Sequence, residues 1–324
     1  MSLFHGLPSH TRRLGRRTFV FLGGLGLLRK QPSAAPLSVP PALPVSRRAG
    51  SQAAHGGLQS PIVNRQSSMI FDAHLHCPSA KGDVWQWHKV TPTFEAFVAY
   101  LDRTGVGRGI INSVRCQEAK TPAEFIAGNR EVARYVEKYK GRFLGACVVN
   151  PLFIDESLRE IEECRKQFGF VWVGELCNYT VPYEYTIKNF ELLVEQVTRL
   201  NMVLDVHTEQ EEMAYIIEKF PKATIVFPHF GDDREYANIF KRIDLVARHP
   251  NCYLDTSGYG HDRVGMLEYA VKTIGPDRVL FGSDFSINDP STVIARIQNS
   301  FLSEEEKKKV LASNLMALLK RVGV

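Results

Sequence analysis

The chain has 324 residues, 44% hydrophobic and 10% aromatic, with a formal net charge of +5. These proportions suit a globular protein with a sizeable core, and no run approaches the roughly 20 apolar residues that span a membrane. The positive charge is no argument for nucleic-acid binding, because residues 1–68 hold nine Lys/Arg and no acid, while all 35 Asp/Glu begin at Asp72.

Residues 1–68 form a leader distinct from the domain at 69–324. Arg16-Arg17-Thr18-Phe19 ahead of the apolar Phe19–Leu28 resembles a twin-arginine export signal. The same Arg-rich, acid-free composition also fits a mitochondrial transit peptide, and Met69 stands where translation could start. Residues 30–68, rich in Pro, Ser, Ala and Gly, are expected to be disordered. A start at Met69 implies a cytoplasmic protein; the leader, if translated, implies twin-arginine export.

The first element of the domain is a short apolar strand, Ile70-Phe71-Asp72-Ala73-His74-Leu75-His76. Side chains two apart on a strand share a side, so His74 and His76 project together, with Asp72 one layer deeper. Two imidazoles side by side are half of a transition-metal site. Further strands are expected at 108–114, 143–149, 170–175, 202–207, 224–229, 252–257 and 279–284. Four of them repeat one grammar: an apolar run ending in a metal-capable side chain, at Glu175, His207, His229 and Asp284. Helices are expected near 93–104, 124–139, 156–167, 188–200, 210–219, 235–248, 264–274 and 291–300, then a terminal helix at 303–321.

Eight strand–helix pairs predict a single (β/α)8 TIM barrel, with ligands at the strand C-termini converging on one mouth. A doubly wound open sheet would spread the same side chains along a crevice. The six cysteines are scattered without a Cys-x-x-Cys. They read as buried thiols, with Cys77 and Cys177 packing near the site.

Over roughly residues 69–320 the chain resembles the amidohydrolase superfamily, in its amidohydrolase-related branch of metal-dependent hydrolases and decarboxylases. The resemblance rests on His74-x-His76, His207, His229 and Asp284 after strands one, five, six and eight. Phe281-Gly282-Ser283-Asp284 and Ala312-Ser313-Asn314-Leu315 resemble that branch in particular. Val173-Gly174-Glu175 is closer to TatD-type deoxyribonucleases, in which Glu bridges two metals. The resemblance implies metal ligands at His74, His76, His207, Asp284 and Glu175, with one or two divalent ions: zinc first, manganese or iron as alternatives. It also implies that Asp284 both touches the metal and accepts a proton, with His229 as electrophile or proton handler.

These residues suit a metal-activated water attacking an amide, ester or lactone of a small molecule. The alternative is a metal-dependent decarboxylase of a small aromatic or unsaturated carboxylic acid; a third reading is a binding barrel without chemistry. His261 and Arg115, in loops at the mouth, are expected to meet a substrate carboxylate. Trp85, Trp87 and His88 are expected to wall the pocket. A homo-oligomer is compatible with the sequence.

Overall fold

The computed structural model describes residues 70–79, 93–231 and 236–324. The leader and the segment holding Trp85, Trp87 and His88 lie outside the described residues. Eight parallel strands run in sequence order around one sheet. They are β1 (Ile70–Cys77), β2 (Val106–Ser113), β3 (Phe143–Cys147), β4 (Trp172–Cys177), β5 (Val203–His207), β6 (Thr224–Phe227), β7 (Cys252–Asp255) and β8 (Val279–Leu280). Between them stand α1 (Phe94–Thr104), α2 (Val114–Gln117), α3 (Pro122–Lys138), α4 (Ile154–Phe168), α5 (Lys188–Arg199), α6 (Gln210–Lys219), α7 (Tyr236–Arg248) and α8 (Met266–Ile274); α9 (Pro290–Gln298) follows β8. This is the expected (β/α)8 barrel, and the open-sheet alternative falls.

Two apolar clusters divide the fold. One packs the helices against the outward strand residues, among them Leu75, Ile111, Val173, Leu204 and Phe281. The other takes side chains from all eight strands, with Phe71, Trp172, Val203 and Tyr253 near strand starts. Leu315, Leu318, Leu319 and Val322 join this second cluster, so the C-terminal helix α11 (Asn314–Arg321) stoppers the end of the barrel opposite the ligands. Where a sequence reading sees one terminal helix, the chain forms α10 (Glu304–Lys308), a π turn at Lys309–Ser313 and then α11.

The π turn has a structural use. The Asn314 backbone N–H donates to the Lys309 carbonyl, five residues back, which spares the Val310 carbonyl from the helix ladder. Val310 O instead accepts from the Phe281 N–H at 2.9 Å. The Asn314 side chain donates to Pro276 O at 2.7 Å and Val279 O at 2.8 Å. Strand eight, only two residues long in regular pairing, is thus held from outside. It meets β1 through Ala73 N–H to Phe281 O (2.8 Å) and Asp284 N–H to His74 O (3.0 Å), which closes the ring.

β1 also departs from simple alternation. Its register against β2 shifts between Asp72 and Leu75, as a bulge does. Phe71 and Ala73 accordingly lie in the inner cluster, whereas Leu75 and Cys77 lie in the outer one. Asp72 therefore does not sit beneath His74 with an oxygen on an imidazole. Its Oδ1 accepts from the backbone N–H groups of His74 (2.9 Å) and Ser283 (3.0 Å), clamping β1 to the β8 end. Burial pushes its carboxyl up to about 7. Among the described residues, no helix is long and apolar enough to cross a membrane.

Candidate active site

His74, His76, Glu175, His207, His229 and Asp284 come together at the C-terminal mouth. His74 Nε2 and His76 Nε2 stand 3.0 Å apart. Glu175 Oε2 lies 3.5 Å from the first and 3.6 Å from the second. Asp284 Oδ1 is 3.0 Å from His76 Nε2 and 3.8 Å from His74 Nε2. On the other side of Glu175, Oε1 is 2.9 Å from His207 Nδ1 and 3.7 Å from His229 Nε2. Glu175 thus belongs to two groups of potential metal donors: one with His74 and His76, the other with His207 and His229.

The partners of the ring nitrogens fix which face points inward. His74 Nδ1–H donates to Asp255 Oδ2 at 3.2 Å, and His76 Nδ1–H to Asn112 Oδ1 at 2.8 Å. Gln117 Nε2, 3.5 Å from the same Asn112 oxygen, supports that amide orientation and also donates to Glu175 O at 3.1 Å. Ser257 Oγ donates to Asp255 Oδ1, so it accepts from His229 Nδ1–H at 2.9 Å. The lone pairs of His74, His76 and His229 are left facing the carboxylates. Such a donor set calls for positive charge at its centre and fits a divalent cation.

The electrostatics agree. Burial alone would favour neutral His74, yet Glu175 and Asp255 raise it well above the usual histidine range. Burial opposes the charge on Glu175, yet His74 and His207 hold it well below the usual carboxylate range. A cation in this place would serve Glu175 in the same way.

Local backbone makes these approaches possible. His229 and Asp284 both take positive φ, 67° and 60°. A Cβ on Gly258, itself at φ +63°, would come within 2.4 Å of His229 Nδ1. One on Gly174 would sit 2.0 Å from the Asp205 carbonyl oxygen, so only glycine admits Glu175 in this position. Arg242 is buried and donates to Thr208 O (2.6 Å), Pro228 O (3.0 Å) and His229 O (3.3 Å), fixing the segments that carry His207 and His229.

A cavity of about 860 Å³ opens beside the cluster, and His207, His229 and Asp284 line it. Tyr179, Tyr183 and Tyr259 also line it, and none of its described lining residues is Lys or Arg. Arg115, at the start of α2, and His261 are not among those lining residues. His261 is buried, and burial lowers its imidazole to about 4; its Nδ1 has no hydrogen-bond partner among the described residues. Cys77 and Cys177 are buried thiols, outside both donor groups that contain Glu175.

Sequence reasoning missed Asp255, Asn112, Ser257 and Arg242. Asp255 was within reach, since Tyr253-Leu254-Asp255 ends a strand in the same grammar as the other ligands. The rest act only through three-dimensional contacts.

A family model described as amidohydrolase matches residues 71–321. The chain belongs to the amidohydrolase family. The γ-resorcylate decarboxylase of Polaromonas sp. (strain JS666) is 24% identical over 283 residues, covering 70% of this chain and 83% of the relative. A dihydroxybenzoic acid decarboxylase structure from Polaromonas sp. JS666, with manganese and 2-nitroresorcinol bound, superposes with a TM-score of 0.62 at 20% identity, over 78% of this chain and 97% of that one. The 2,6-dihydroxybenzoate decarboxylase from Rhizobium gives 0.61 at 16% identity, over 79% and 99%. The 5-carboxyvanillate decarboxylase from Sphingomonas paucimobilis gives 0.61 at 16%, over 78% and 99%.

These relatives overturn the expectation of a metal-dependent hydrolase, because the similar amidohydrolase-family enzymes are decarboxylases. The physical reason for the misreading is that histidines, an aspartate and a metal serve both reactions. Glu175, which tipped the reading toward hydrolysis, meets His74, His76, His207 and His229 here and marks neither reaction by itself. The metal carried by such relatives is manganese, so a divalent ion is supported and zinc in particular is not.

Proposed function

We propose that this amidohydrolase-family protein is a divalent-metal-dependent decarboxylase of a small aromatic carboxylic acid. The observation that carries the reading is the charge of the cavity: no described Lys or Arg lines it. Among the described lining residues a carboxylate entering it meets no basic side chain, and a cation held by the donor cluster would supply the counter-charge. The volume and the three tyrosines suit a flat ring. The similarity to the resorcylate-type decarboxylases supports the same substrate class.

His74, His76, Glu175 and Asp284 would hold the ion, most simply manganese. When bound, it would neutralise the substrate carboxylate and any neighbouring phenolate oxygen. In the net reaction the ring carbon loses carbon dioxide, keeps the electron pair of the broken C–C bond and takes up one proton. Asp284 lines the cavity, and Asn288 Nδ2 holds its Oδ2 at 3.0 Å. It would carry that proton from solvent to the ring carbon. His229, its Nδ1–H directed to Ser257, would present Nε2 to the substrate oxygens or to water. Tyr179, whose ring centroid lies 4.9 Å from that of His207, would give the ring a surface to rest on.

The test is carbon dioxide release by manganese-loaded protein from a panel of hydroxybenzoates, with acid release from lactones and amides measured in parallel. Carbon dioxide from at least one aromatic acid is expected. A fully loaded enzyme that releases none from any of them sinks the reading.

A further inference from the structure

The two sides of the cavity differ in charge. Of the described lining residues from the segments after β7 and β8, Gly258, Tyr259, Ile287 and Asn288 are neutral, and the one carboxylate there, Asp284, belongs to the donor cluster. The facing side, from the segments after β4 and β5, carries Glu184, Glu209 and Glu212. Asn178 Nδ2 donates to Glu212 Oε1 at 2.7 Å, and the Glu209 N–H donates to Glu212 Oε2 at 2.9 Å, so Glu212 is held in place. Tyr183 is buried in the same wall, edge-on to Tyr185 at 5.4 Å between ring centroids. No hydrogen-bond partner meets its hydroxyl among the described residues. An acidic wall welcomes hydrogen-bond donors and repels anions.

We propose that Glu184 and Glu212 make the enzyme selective for aromatic acids with a single carboxylate, bearing hydroxyl or amino groups toward this wall, and that they exclude rings with a second carboxylate. The inference deepens the decarboxylase reading and rests on it. One carboxylate has a place at the donor cluster; a second would be set against two or three like charges in a cleft, where repulsion is stronger than in open water. Ligand classes that the relatives separate by name, dihydroxybenzoates and carboxyvanillate, would be separated here by that wall.

The experiment is direct binding to manganese-loaded protein, by calorimetry, of 2,6-dihydroxybenzoate and 5-carboxyvanillate, with carbon dioxide release measured on the same samples. The wild type should bind the monocarboxylate at least about tenfold more tightly. Glu184→Gln/Glu212→Gln should reduce that preference to within about threefold, chiefly by tightening the dicarboxylate. Glutamine still serves at the third position of a capping box, so α6 keeps its start. High salt should shrink the wild-type preference in the same direction. Equal binding by the wild type, or a preference unchanged in the double variant, overturns the proposal. Binding order intact without carbon dioxide release overturns the decarboxylase reading and upholds the wall; the reverse result does the opposite. Failure of both acids to bind overturns both.

Discussion

His74 Nε2 and His76 Nε2 are 3.0 Å apart, while each ring sends its Nδ1–H to an outside oxygen, on Asp255 and Asn112 respectively. Two lone pairs at that distance need a positive centre. Either a proton sits on His74, which Glu175 and Asp255 favour despite burial, or a metal ion takes the proton's place.

Metal and proton should therefore compete. Metal affinity should rise with pH, and loading at neutral pH should release protons into a weakly buffered solution. Isothermal titration in buffers of different ionisation enthalpy reads the number released. No proton release and a pH-independent affinity would mean that the cluster is not the metal site.

His74→Ala and His76→Ala should each abolish metal retention through gel filtration, measured by elemental analysis. Asp255→Asn keeps the shape but weakens the hold on the His74 ring, and such supporting carboxylates usually matter 10–100-fold in affinity. Full metal content in both alanine variants would remove these residues from the site.

Asp284→Asn keeps an acceptor oxygen but cannot carry the proton. Turnover should fall about 10²–10⁴-fold, the usual share of general acid–base catalysis, with metal content lowered less than in the histidine variants. Near-normal kcat would exclude Asp284 as the proton carrier.

The metal count can be read from His229→Asn. A single ion among His74, His76, Glu175 and Asp284 leaves its content unchanged, because His229 Nε2 faces the other oxygen of Glu175. We expect that result. Halved content in this variant would establish a second ion between Glu175, His207 and His229.

His261 offers a pH test away from the cluster. Burial lowers its imidazole to about 4 in the folded state, whereas the unfolded chain would titrate near 6.5. Between those values the unfolded state binds the extra proton, so stability rises with pH there. It is fully present above about 6.5 and lost as pH falls toward 4, by about 3 kcal/mol in all. Denaturant unfolding of wild type and His261→Gln at pH 4.5 and 7 should show the variant losing less. Equal losses would mean that His261 is not buried in its neutral form.

Much of this was legible in the chain because the barrel repeats one local rule. An apolar run ending in a metal-capable side chain, eight helix-separated strands and His74-x-His76 all follow from short-range pattern, and the structure brings those side chains into one cluster. What pattern could not carry was long-range or irregular. Alternation alone does not show the bulge in β1, or that Asp72 clamps the backbone of β1 to the segment after β8. Asn112 and Arg242 sit on elements with no candidate ligand of their own, and Arg242 reaches the carbonyls of Thr208, Pro228 and His229. The choice between hydrolysis and decarboxylation depends on what enters the cavity, which the ligand set does not encode.

The π turn near the C-terminus has a consequence for how the enzyme comes into being. The backbone of Phe281 is tied to Val310, and Asn314 grips Val279, three and five residues upstream of Asp284, whose N–H meets β1 at His74 O. These contacts at the β8 end can form only once residues 310–314 have been made, although His74 and His76 were made first. Metal capture would then be a late event in synthesis, a final lock turned by the tail of the protein rather than a seed around which the barrel grows.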